Sequence, residues 1–374
     1  AKWPVFTPPL THVDAWTCLG HGPELHKALQ AGHSGLQPAS RVFPHIDALT
    51  AGGLIGTLEG VTGEIRLPEI LSTGLKLLAP ACAWDVDMVI GACSVGDLEG
   101  PDAGRPQQAL ERAIKALRPD VPLPPIQLVS TACSSGTDAV ALGAMSISAG
   151  LAESILVVAF DSLPAGKLLQ HVALGTQSKD RARPFDIDRS GTSFGEACAV
   201  AVLASNEGLR RLGLSGQVRV AGFGMSCDAH HVVAPHPEGV YAAQAVLGAL
   251  GDVSHLAIGY INAHGSGTIL NDSAETQALR HAYGENAISH IHIGGTKGAL
   301  GHTLGATGLV EVVVATQSLI DGWFPPTAGL VTPDPQLKLQ FPTETRKRAS
   351  HERYAMSATF GFGGINSALL MELM

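Results

Sequence analysis

The stretch IQLVSTACSSGTDAVALGAMSISAG, residues 126–150, decides the fold of this chain. Ile126–Val129 predicts a short buried strand, and the Ala-, Gly- and Ser-rich run 134–151 has the length and period of a helix. A second stretch, IHIGGTKGALGHTLGATGLVEVVVATQSLIDG at 291–322, repeats the order of strand, small-residue turn and apolar helix. Because a helix that is apolar nearly all round must be buried on all sides, the repeat predicts two α/β halves with packed central helices.

Further apolar runs predict the rest of the sheet structure. Val86–Ile90, Ile155–Phe160 and Leu256–Asn262 are typical of short strands, and Gln107–Leu117 is typical of a surface helix. Repeated strand–helix–strand order favours an α/β fold with buried sheets. One compact pseudo-symmetric unit fits this order better than two independent domains.

The composition agrees with thick packing. Of the 374 residues only 15% are charged, where a typical domain has roughly 25%. Hydrophobic residues make up 45% but aromatic ones only 5%, so small aliphatic side chains and 44 glycines fill the interior. So few charges indicate layered packing or a large subunit interface.

Charge and cysteine usage exclude several classes of protein. The formal net charge is −9 without any basic run, which argues against nucleic acid as a partner. No apolar run approaches the ~20 residues of a membrane span, and the first ten residues lack the pattern of a secretory signal. Six scattered cysteines without a CxxC pair favour reduced thiols in a cytoplasmic protein over disulfides or a zinc site.

Three residues are candidates for catalysis because of where they lie in the sequence. Cys133 stands at a strand end before a helix, where backbone N–H groups and the helix dipole favour a thiolate, although a lone cysteine is more often structural. His264 in YINAHGSGT and His302 in GGTKGALGHTLGATG occupy glycine-flanked turns after predicted strands. Such turns carry function in α/β sheets, whereas most of the 16 histidines must be incidental.

The three candidate residues lie in motifs, and the chain contains four motifs in this order: TACSSGTDA (131–139), NAHGSGTILND (262–272), TKGALGHTLGATG (296–308) and FGFGG (360–364). With RPFDIDRSG, GMSCDAHH, WFPPT and the PDP at 333–335, they resemble the signature segments of β-ketoacyl-acyl-carrier-protein synthases. The resemblance implies a thiolase-like fold, an α/β unit of five αβαβα layers with two pseudo-equivalent halves. It implies an N-terminal half at 1–220, with the cysteine and a shortened cap region at about 37–125, and a C-terminal half at 221–374.

The same resemblance implies a role for each motif residue. Cys133 would be the nucleophile, and His264 and His302 would promote malonyl decarboxylation and stabilise the enolate and thioester oxyanion. Lys297 would position and polarise the site, with Glu311 as the carboxylate of its network.

The remaining motif residues would form the gate and the entry. Phe362 would be the gating residue, whose backbone N–H joins that of Cys133 in an oxyanion hole. Ser266, which replaces the family's usual threonine, and Thr268 would bind the pantetheine arm. No metal and no cofactor of the protein's own is implied, because the phosphopantetheine belongs to the acyl carrier protein.

The Cys–His–His set resembles the elongating branch of the family. The expected reaction joins an acyl group on Cys133 to malonyl-acyl-carrier protein by decarboxylative Claisen condensation. The product is a 3-oxoacyl-carrier protein, in fatty acid, polyketide or polyene biosynthesis, and the enzyme would be a homodimer or a heterodimer with a ketosynthase-like chain. The alternative is a chain-length-factor-like or structural partner of a heterodimeric ketosynthase, but such chains characteristically lose the nucleophile.

The sequence offers few basic residues for docking an acidic carrier protein. An acidic carrier needs a basic patch, yet residues 46–103 contain only Arg66 and Lys76. The alternatives elsewhere are Lys167, Lys179, Arg181, Arg183, Arg210 and Arg211.

Two further patterns have weak functional interpretations. Residues 191–195 match the GxSxG of hydrolase nucleophile elbows, but a strand-like run follows where a helix is required. Cys227, His230 and His231 fit no standard metal-site spacing.

Overall fold

The computed structural model describes residues 7–50, 53–80 and 84–374. Of Thr50 it describes the backbone only. Its strands are β1 (Pro9–Trp16), β2 (Gln37–Pro38), β3 (Leu54–Ile55), β4 (Met88–Ala92), β5 (Ile126–Val129), β6 (Ser154–Asp161), β7 (Ala197–Ala204), β8 (Val218–Cys227), β9 (Ile258–Asn262), β10 (His292–Gly294), β11 (Trp323–Phe324), β12 (Arg346–Lys347), β13 (Tyr354–Gly361) and β14 (Ile365–Leu373).

Its α-helices are α1 (Gly22–Gln30), α2 (Ala39–Val42), α3 (Asp47–Thr50), α4 (Leu67–Leu78), α5 (Pro106–Leu117), α6 (Ser135–Ser148), α7 (Ala165–Ala173), α8 (Asn206–Leu212), α9 (Val240–Leu250), α10 (Ile269–Tyr283), α11 (Glu285–Ile288), α12 (Lys297–Leu300) and α13 (Thr307–Asp321). Short 3₁₀ turns occur at Ala132–Ser134, His255–Ala257, Leu304–Ala306 and Pro335–Leu337.

The main sheet repeats one pairing pattern twice. Its order is β10-β9-β13-β14-β8-β1-β7-β6-β4-β5. In one half β5, β4 and β6 are parallel and β7 and β1 follow antiparallel; in the other, β10, β9 and β13 are parallel and β14 and β8 follow antiparallel. The halves meet through β1 and β8. The sheet therefore has two similarly built halves. The predicted boundary between them, after residue 220, falls inside β8.

Alternating side chains show how the layers stack. In β6, residues 155, 157 and 159 join the cluster that contains α6 and α13, whereas residues 156, 158 and 160 join α4 and α5 on the other face. In β13, Ala355 faces the central helices and Met356 packs with α9 and α10. Because successive strand residues point to opposite faces, each half of the sheet lies between two helical layers. The predicted αβαβα arrangement is confirmed.

The two central helices touch backbone to backbone. A Cβ atom on Gly136 of α6 would lie 2.4 Å from the backbone nitrogen of Leu309 in α13. A Cβ atom on Gly308 would lie 2.5 Å from the backbone nitrogen of Thr137. The predicted helix 134–151 ends earlier, at Ser148, because Gly150 at φ +69° takes the left-handed conformation that terminates helices.

We expect Gly136→Ala to destabilise the protein by about 3 kcal/mol, because the added methyl group meets main chain that has no rotamer to escape into. The thermal unfolding midpoint measures this loss. Gly166→Ala in α7 is the matched control, since its nearest contact is the movable Leu98 side chain at 3.1 Å and alanine favours helix. Equal midpoints for the two variants would contradict close packing of the central helices.

One apolar helical segment in the described part of the chain, Leu304–Asp321, is long enough to cross a bilayer. The sequence argument missed it because Gly, Thr and Glu interrupt the run. In the structure 83% of this segment is buried inside the protein, where α13 forms the centre of the core. The segment is therefore used as a core helix.

Candidate active site

The sequence-predicted residues meet at one cavity of about 730 Å³. Its wall contains Cys133, His264, His302 and Phe362, which come from the ends of β5, β9 and β13 and from the turn before α13. Ser266 and Thr268 also line it. Lys297 and Glu311 lie behind this wall, wholly buried.

The turn that carries Cys133 is strained and pinned. Ala132 has φ +55°, a left-handed conformation that costs a non-glycine residue about 1–2 kcal/mol. The hydroxyl groups of Thr131 and Ser134 donate to Asp138 Oδ2 at 2.6 and 2.8 Å, which holds the turn against the first turn of α6. The strand–turn–helix order predicted from the sequence thus places the sulfur in the cavity.

Burial has the largest effect on the pKa of the Cys133 thiol. Burial raises its pKa to about 11, although the Lys297 charge and the nearby Phe362 backbone N–H both act to lower it. Burial thus outweighs the lowering of the Cys133 pKa that its place before a helix predicts. At neutral pH the thiol must lose its proton as it attacks. The Phe362 contact brings the expected second oxyanion-hole donor next to the sulfur.

His302 is held in one tautomer. Its Nδ1 accepts the backbone N–H of Leu304 at 3.0 Å, so the ring's proton lies on Nε2, which can donate. Burial and then the Lys297 charge keep the pKa of His302 well below its usual value, so the ring is neutral at pH 7. Its ring centre lies 5.3 Å from that of His264, nearly perpendicular to it at 81°.

Three hydrogen bonds to the backbone hold His264 and Gly265 in place. The N–H groups of His264 and Gly265 donate to the Glu275 carboxylate at 2.7 and 2.8 Å, and the His264 carbonyl accepts from Lys297 Nζ at 2.5 Å. Burial lowers the pKa of His264 far below its usual value, again with help from Lys297. The sequence argument missed Glu275, although its position two turns into the helix after the motif was a signal.

Lys297 bridges two parts of the second half. Its Nζ also donates to Glu311 Oε1 at 2.5 Å, and neither side chain is exposed. Burial raises the pKa of Glu311 above its usual value, against the lowering effect of Lys297. Lys297 is absent from the cavity wall, so it acts on the site through its charge and through the His264 carbonyl.

The Phe362 turn joins β13 and β14 and is tied to the segment after β8. Gly363 and Gly364 have φ of +84° and +73°, values that residues with a side chain rarely adopt. Gly363 N–H donates to the Val232 carbonyl at 2.7 Å, and Asn366 Nδ2 donates to Asp228 Oδ1 at 2.7 Å. Asp228 and Asn366, which also line the cavity, are functional candidates that the sequence argument missed.

Ser266 and Thr268 form a linked pair at the start of α10. Their hydroxyl oxygens lie 2.9 Å apart, and Thr268 Oγ1 caps the helix by accepting the Asn271 N–H at 3.3 Å. The serine found in place of threonine therefore still presents a hydroxyl group in the cavity.

Helix α7 contributes a wall that the sequence argument did not assign. Lys167, Gln170 and His171 line the cavity at positions i, i+3 and i+4, which share one helix face. The His171 ring stacks on Phe194 at 3.9 Å, and burial lowers its pKa to about 4. The helical spacing was the available signal.

The weaker interpretations of the sequence find no support. Ser193 of the GxSxG match is wholly buried and accepts the Ala182 N–H at 2.9 Å, so it is no nucleophile. Across residues 7–50, 53–80 and 84–374 no group of three histidine, cysteine or acidic side chains could hold a metal. Five cysteines are free thiols, and Cys82 lies outside the described residues.

Several candidate docking cations are already neutralised. Arg66 is wholly buried against Glu196 at 2.6 Å, and Lys167 is buried against Asp161 at 2.6 Å. Arg211 pairs with Asp87, which lies beside the first residue of β6. The cavity lies near the other end of this strand, about 23 Å away. Arg210 pairs locally as well, with Glu207 at 2.5 Å.

The remaining candidates lie by the cavity entrance. Lys179 is exposed and Arg181 is partly exposed, whereas Arg183 pairs locally with Asp180 at 2.7 Å. A Cβ atom on Gly267, between the two hydroxyl residues of the entry, would lie 3.2 Å from the Arg183 backbone nitrogen. From the region expected to form a shortened cap, about 37–125, Ser94 and Val95 line the cavity.

Comparisons with known proteins agree with this geometry. Residues 125–208 match the model of the β-ketoacyl synthase N-terminal domain, and residues 218–331 match that of the C-terminal domain. The chain is 34% identical over 255 residues to 3-oxoacyl-[acyl-carrier-protein] synthase 2 of Vibrio cholerae, and 38% identical over 259 residues to a putative polyketide β-ketoacyl synthase 1 of Streptomyces halstedii. These matches cover 66% of this chain but only 62% and 60% of the relatives.

Solved structures with low identity share the fold over nearly the whole chain. A chain from a type II polyketide acyl-carrier protein in complex with its ketosynthase has a TM-score of 0.82 at 22% identity, covering 99% of this chain and 100% of its own length. A β-ketoacyl synthase from Burkholderia phymatum STM815 has a TM-score of 0.81 at 24% identity, with coverage of 98% and 99%. A chain of the ishigamide ketosynthase/chain length factor scores 0.82 at 24% identity, again covering 98% and 99%.

Proposed function

The chain belongs to the β-ketoacyl synthase family, and from this premise we propose that it is a 3-oxoacyl-[acyl-carrier-protein] synthase that condenses an acyl thioester with malonyl-acyl-carrier protein. One observation carries the proposal: Cys133, His264, His302 and Phe362 line a single cavity. A nucleophile, two imidazoles and backbone donors in one pocket are what acyl transfer followed by enolate formation requires.

In the first step Cys133 Sγ attacks the carbonyl carbon of the acyl thioester. The oxyanion forms beside the Phe362 N–H and the Cys133 N–H, donors whose removal costs a few kcal/mol each in comparable sites. The carrier leaves as a thiol after receiving the proton that Cys133 loses. Because the Cys133 pKa is raised, this proton transfer accompanies attack.

In the second step the malonyl group loses CO₂ and its α-carbon attacks the acyl-cysteine carbonyl. His302 donates from Nε2 to the thioester oxygen as the enolate develops, and His264 lies opposite. The new carbon–carbon bond replaces the carbon–sulfur bond, and Cys133 regains a proton. Lys297 holds His264 through its carbonyl, with Glu311 as counter-charge.

The carrier protein would approach the Ser266–Thr268 side of the cavity. Its pantetheine arm would reach the sulfur past these two hydroxyl groups, and Lys179 and Arg181 would attract its acidic surface. We further propose a cytoplasmic dimer, with itself or with a second ketosynthase-like chain. The alternative of a chain-length-factor-like partner is disfavoured by the assembled Cys133, His264 and His302.

The proposal is tested by incubating the protein with an acyl thioester and malonyl-acyl-carrier protein. We expect an acyl adduct on Cys133 by intact mass, followed by release of CO₂ and a 3-oxoacyl-carrier product. A folded protein that forms no adduct with any acyl-carrier or acyl-pantetheine thioester would contradict the proposal.

We expect His302→Ala to separate the two steps. Malonyl decarboxylation and condensation should fall about 10²–10³-fold because one preorganised donor to the enolate oxygen is lost. The acylation rate should change by less than about tenfold, because Cys133 and the Phe362 N–H remain. His281→Ala, an exposed histidine on α10, is the control. Unchanged condensation in His302→Ala would show that this imidazole is not used.

A further inference from the structure

Lys167 lies in the wall of the catalytic cavity with only 5% of its surface exposed. Its Nζ donates to Asp161 Oδ1 at 2.6 Å and to the Ser162 carbonyl at 3.0 Å. An ammonium group carries three N–H donors. The third finds no acceptor in the part of the chain that the structure describes.

Asp161 fixes the position of this ammonium group. Its Oδ1 also accepts the Ser162 N–H at 3.0 Å, and its Oδ2 accepts the N–H groups of Gly305 and Ser94 at 2.8 and 3.0 Å. The carboxylate is wholly buried at the end of β6. Lys167 is therefore held in place rather than free to turn toward solvent.

The cavity around Lys167 has a polar wall and an apolar wall. Gln170 and His171 follow Lys167 on the same face of α7, whereas Phe194 and Leu304 line the cavity as apolar side chains. A saturated hydrocarbon chain would cover the polar wall without replacing the hydrogen bonds that water makes there. A carbon chain that bears oxygen atoms would satisfy both walls.

We infer that Lys167 is a specificity-determining residue that donates a hydrogen bond to a neutral oxygen, a ketone or hydroxyl, on the acyl chain carried by Cys133. The inference rests on the proposed function and names its substrate class as oxygenated acyl thioesters. A neutral acceptor fits better than a carboxylate, because Asp161 already balances the Lys167 charge and a second buried carboxylate would lack a partner.

The test compares acylation rates with four pantetheine thioesters of equal chain length: octanoyl, 3-hydroxyoctanoyl, 5-oxooctanoyl and 7-oxooctanoyl. Intact mass follows the adduct on Cys133. We expect at least one oxygenated thioester to react about tenfold faster than octanoyl, as befits one hydrogen bond from a charged donor. In Lys167→Met, a variant of similar length without the donor, this advantage should fall below about twofold.

Two further variants serve as controls. Lys115→Met makes the same change at an exposed lysine on α5, outside the cavity wall, and should keep the preference. Asp161→Asn/Lys167→Met removes both charges, so that the loss of preference can be measured in a folded protein if Lys167→Met alone unfolds.

Equal rates for all four thioesters in the parent protein, or a preference that survives in both Lys167 variants, would overturn the inference while leaving the proposed function intact. The absence of any adduct on the folded parent would overturn the proposed function and this inference with it.

Discussion

Replacing Cys133 by alanine is expected to abolish the acyl adduct and to lower condensation at least about 10³-fold, since the covalent intermediate can no longer form. The cavity retains its donors at Phe362 and His302, so thioester should still bind. The measurement is intact mass after incubation with acyl thioester, together with the rate of 3-oxoacyl product formation.

A matched control separates this effect from general thiol chemistry. Cys227 is an exposed free cysteine outside the cavity wall, so Cys227→Ala should acquire the acyl adduct as the parent does. Folding of Cys133→Ala should be little affected, because the change removes a single sulfur atom from a residue that lines the cavity. An adduct that persists on Cys133→Ala at the parent's rate would remove Cys133 from the proposed mechanism.

Replacing Lys297 by methionine is expected to lower the free energy of unfolding by about 3–5 kcal/mol at neutral pH and to reduce condensation. The change leaves Glu311 buried without its counter-charge, which is costlier than losing both partners together. It also removes the donor to the His264 carbonyl, so the imidazole loses one of its supports. Chemical denaturation and the condensation rate are the two measurements.

The stability loss should depend on pH with a definite sign. Without Lys297 the pKa of Glu311 in the folded protein rises further above its unfolded value, because burial already raises it. The folded state then binds a proton that the unfolded state releases, so stability falls by about 1.4 kcal/mol per pH unit between the two pKa values. The deficit should therefore be small near pH 5 and grow toward pH 8.

The double variant Lys297→Met/Glu311→Gln distinguishes structure from catalysis. It removes both charges, so it should recover most of the lost stability and show little dependence on pH over this range. Condensation should stay low, because the contact with His264 is still missing. A double variant as active as the parent would show that Lys297 serves only to neutralise Glu311.

Local sequence patterns determined the elements and their order. The strand predicted at Ile126–Val129 is observed with those bounds, because β-branched residues before a small-residue turn specify it locally. The strand predicted at 86–90 is displaced to Met88–Ala92, because Asp87 instead receives the N–H groups of Glu153 and Ser154 through its carboxylate. Composition and periodicity do not encode such cross-strand capping.

Motif spacing also identified most of the site. Cys133, His264, His302 and Phe362 were expected together and line one cavity. The α7 wall was not expected, since its role follows from where the helix packs. From the sequence, its lysine, Lys167, is a candidate docking cation, an interpretation that burial against Asp161 contradicts.

Short sequence patterns thus indicate the α/β class, the repeated order of elements and the residues that could carry chemistry, whereas the five-layered arrangement is implied only by the family resemblance. The tertiary structure alone decided which charges are neutralised and which donors remain available. Arg66 and Glu196, 130 residues apart, are buried as a pair, and burial also raises the pKa of Cys133 where the helix terminus suggested the opposite. Desolvation and long-range pairing are properties of the packed chain, and they set the electrostatics of this site.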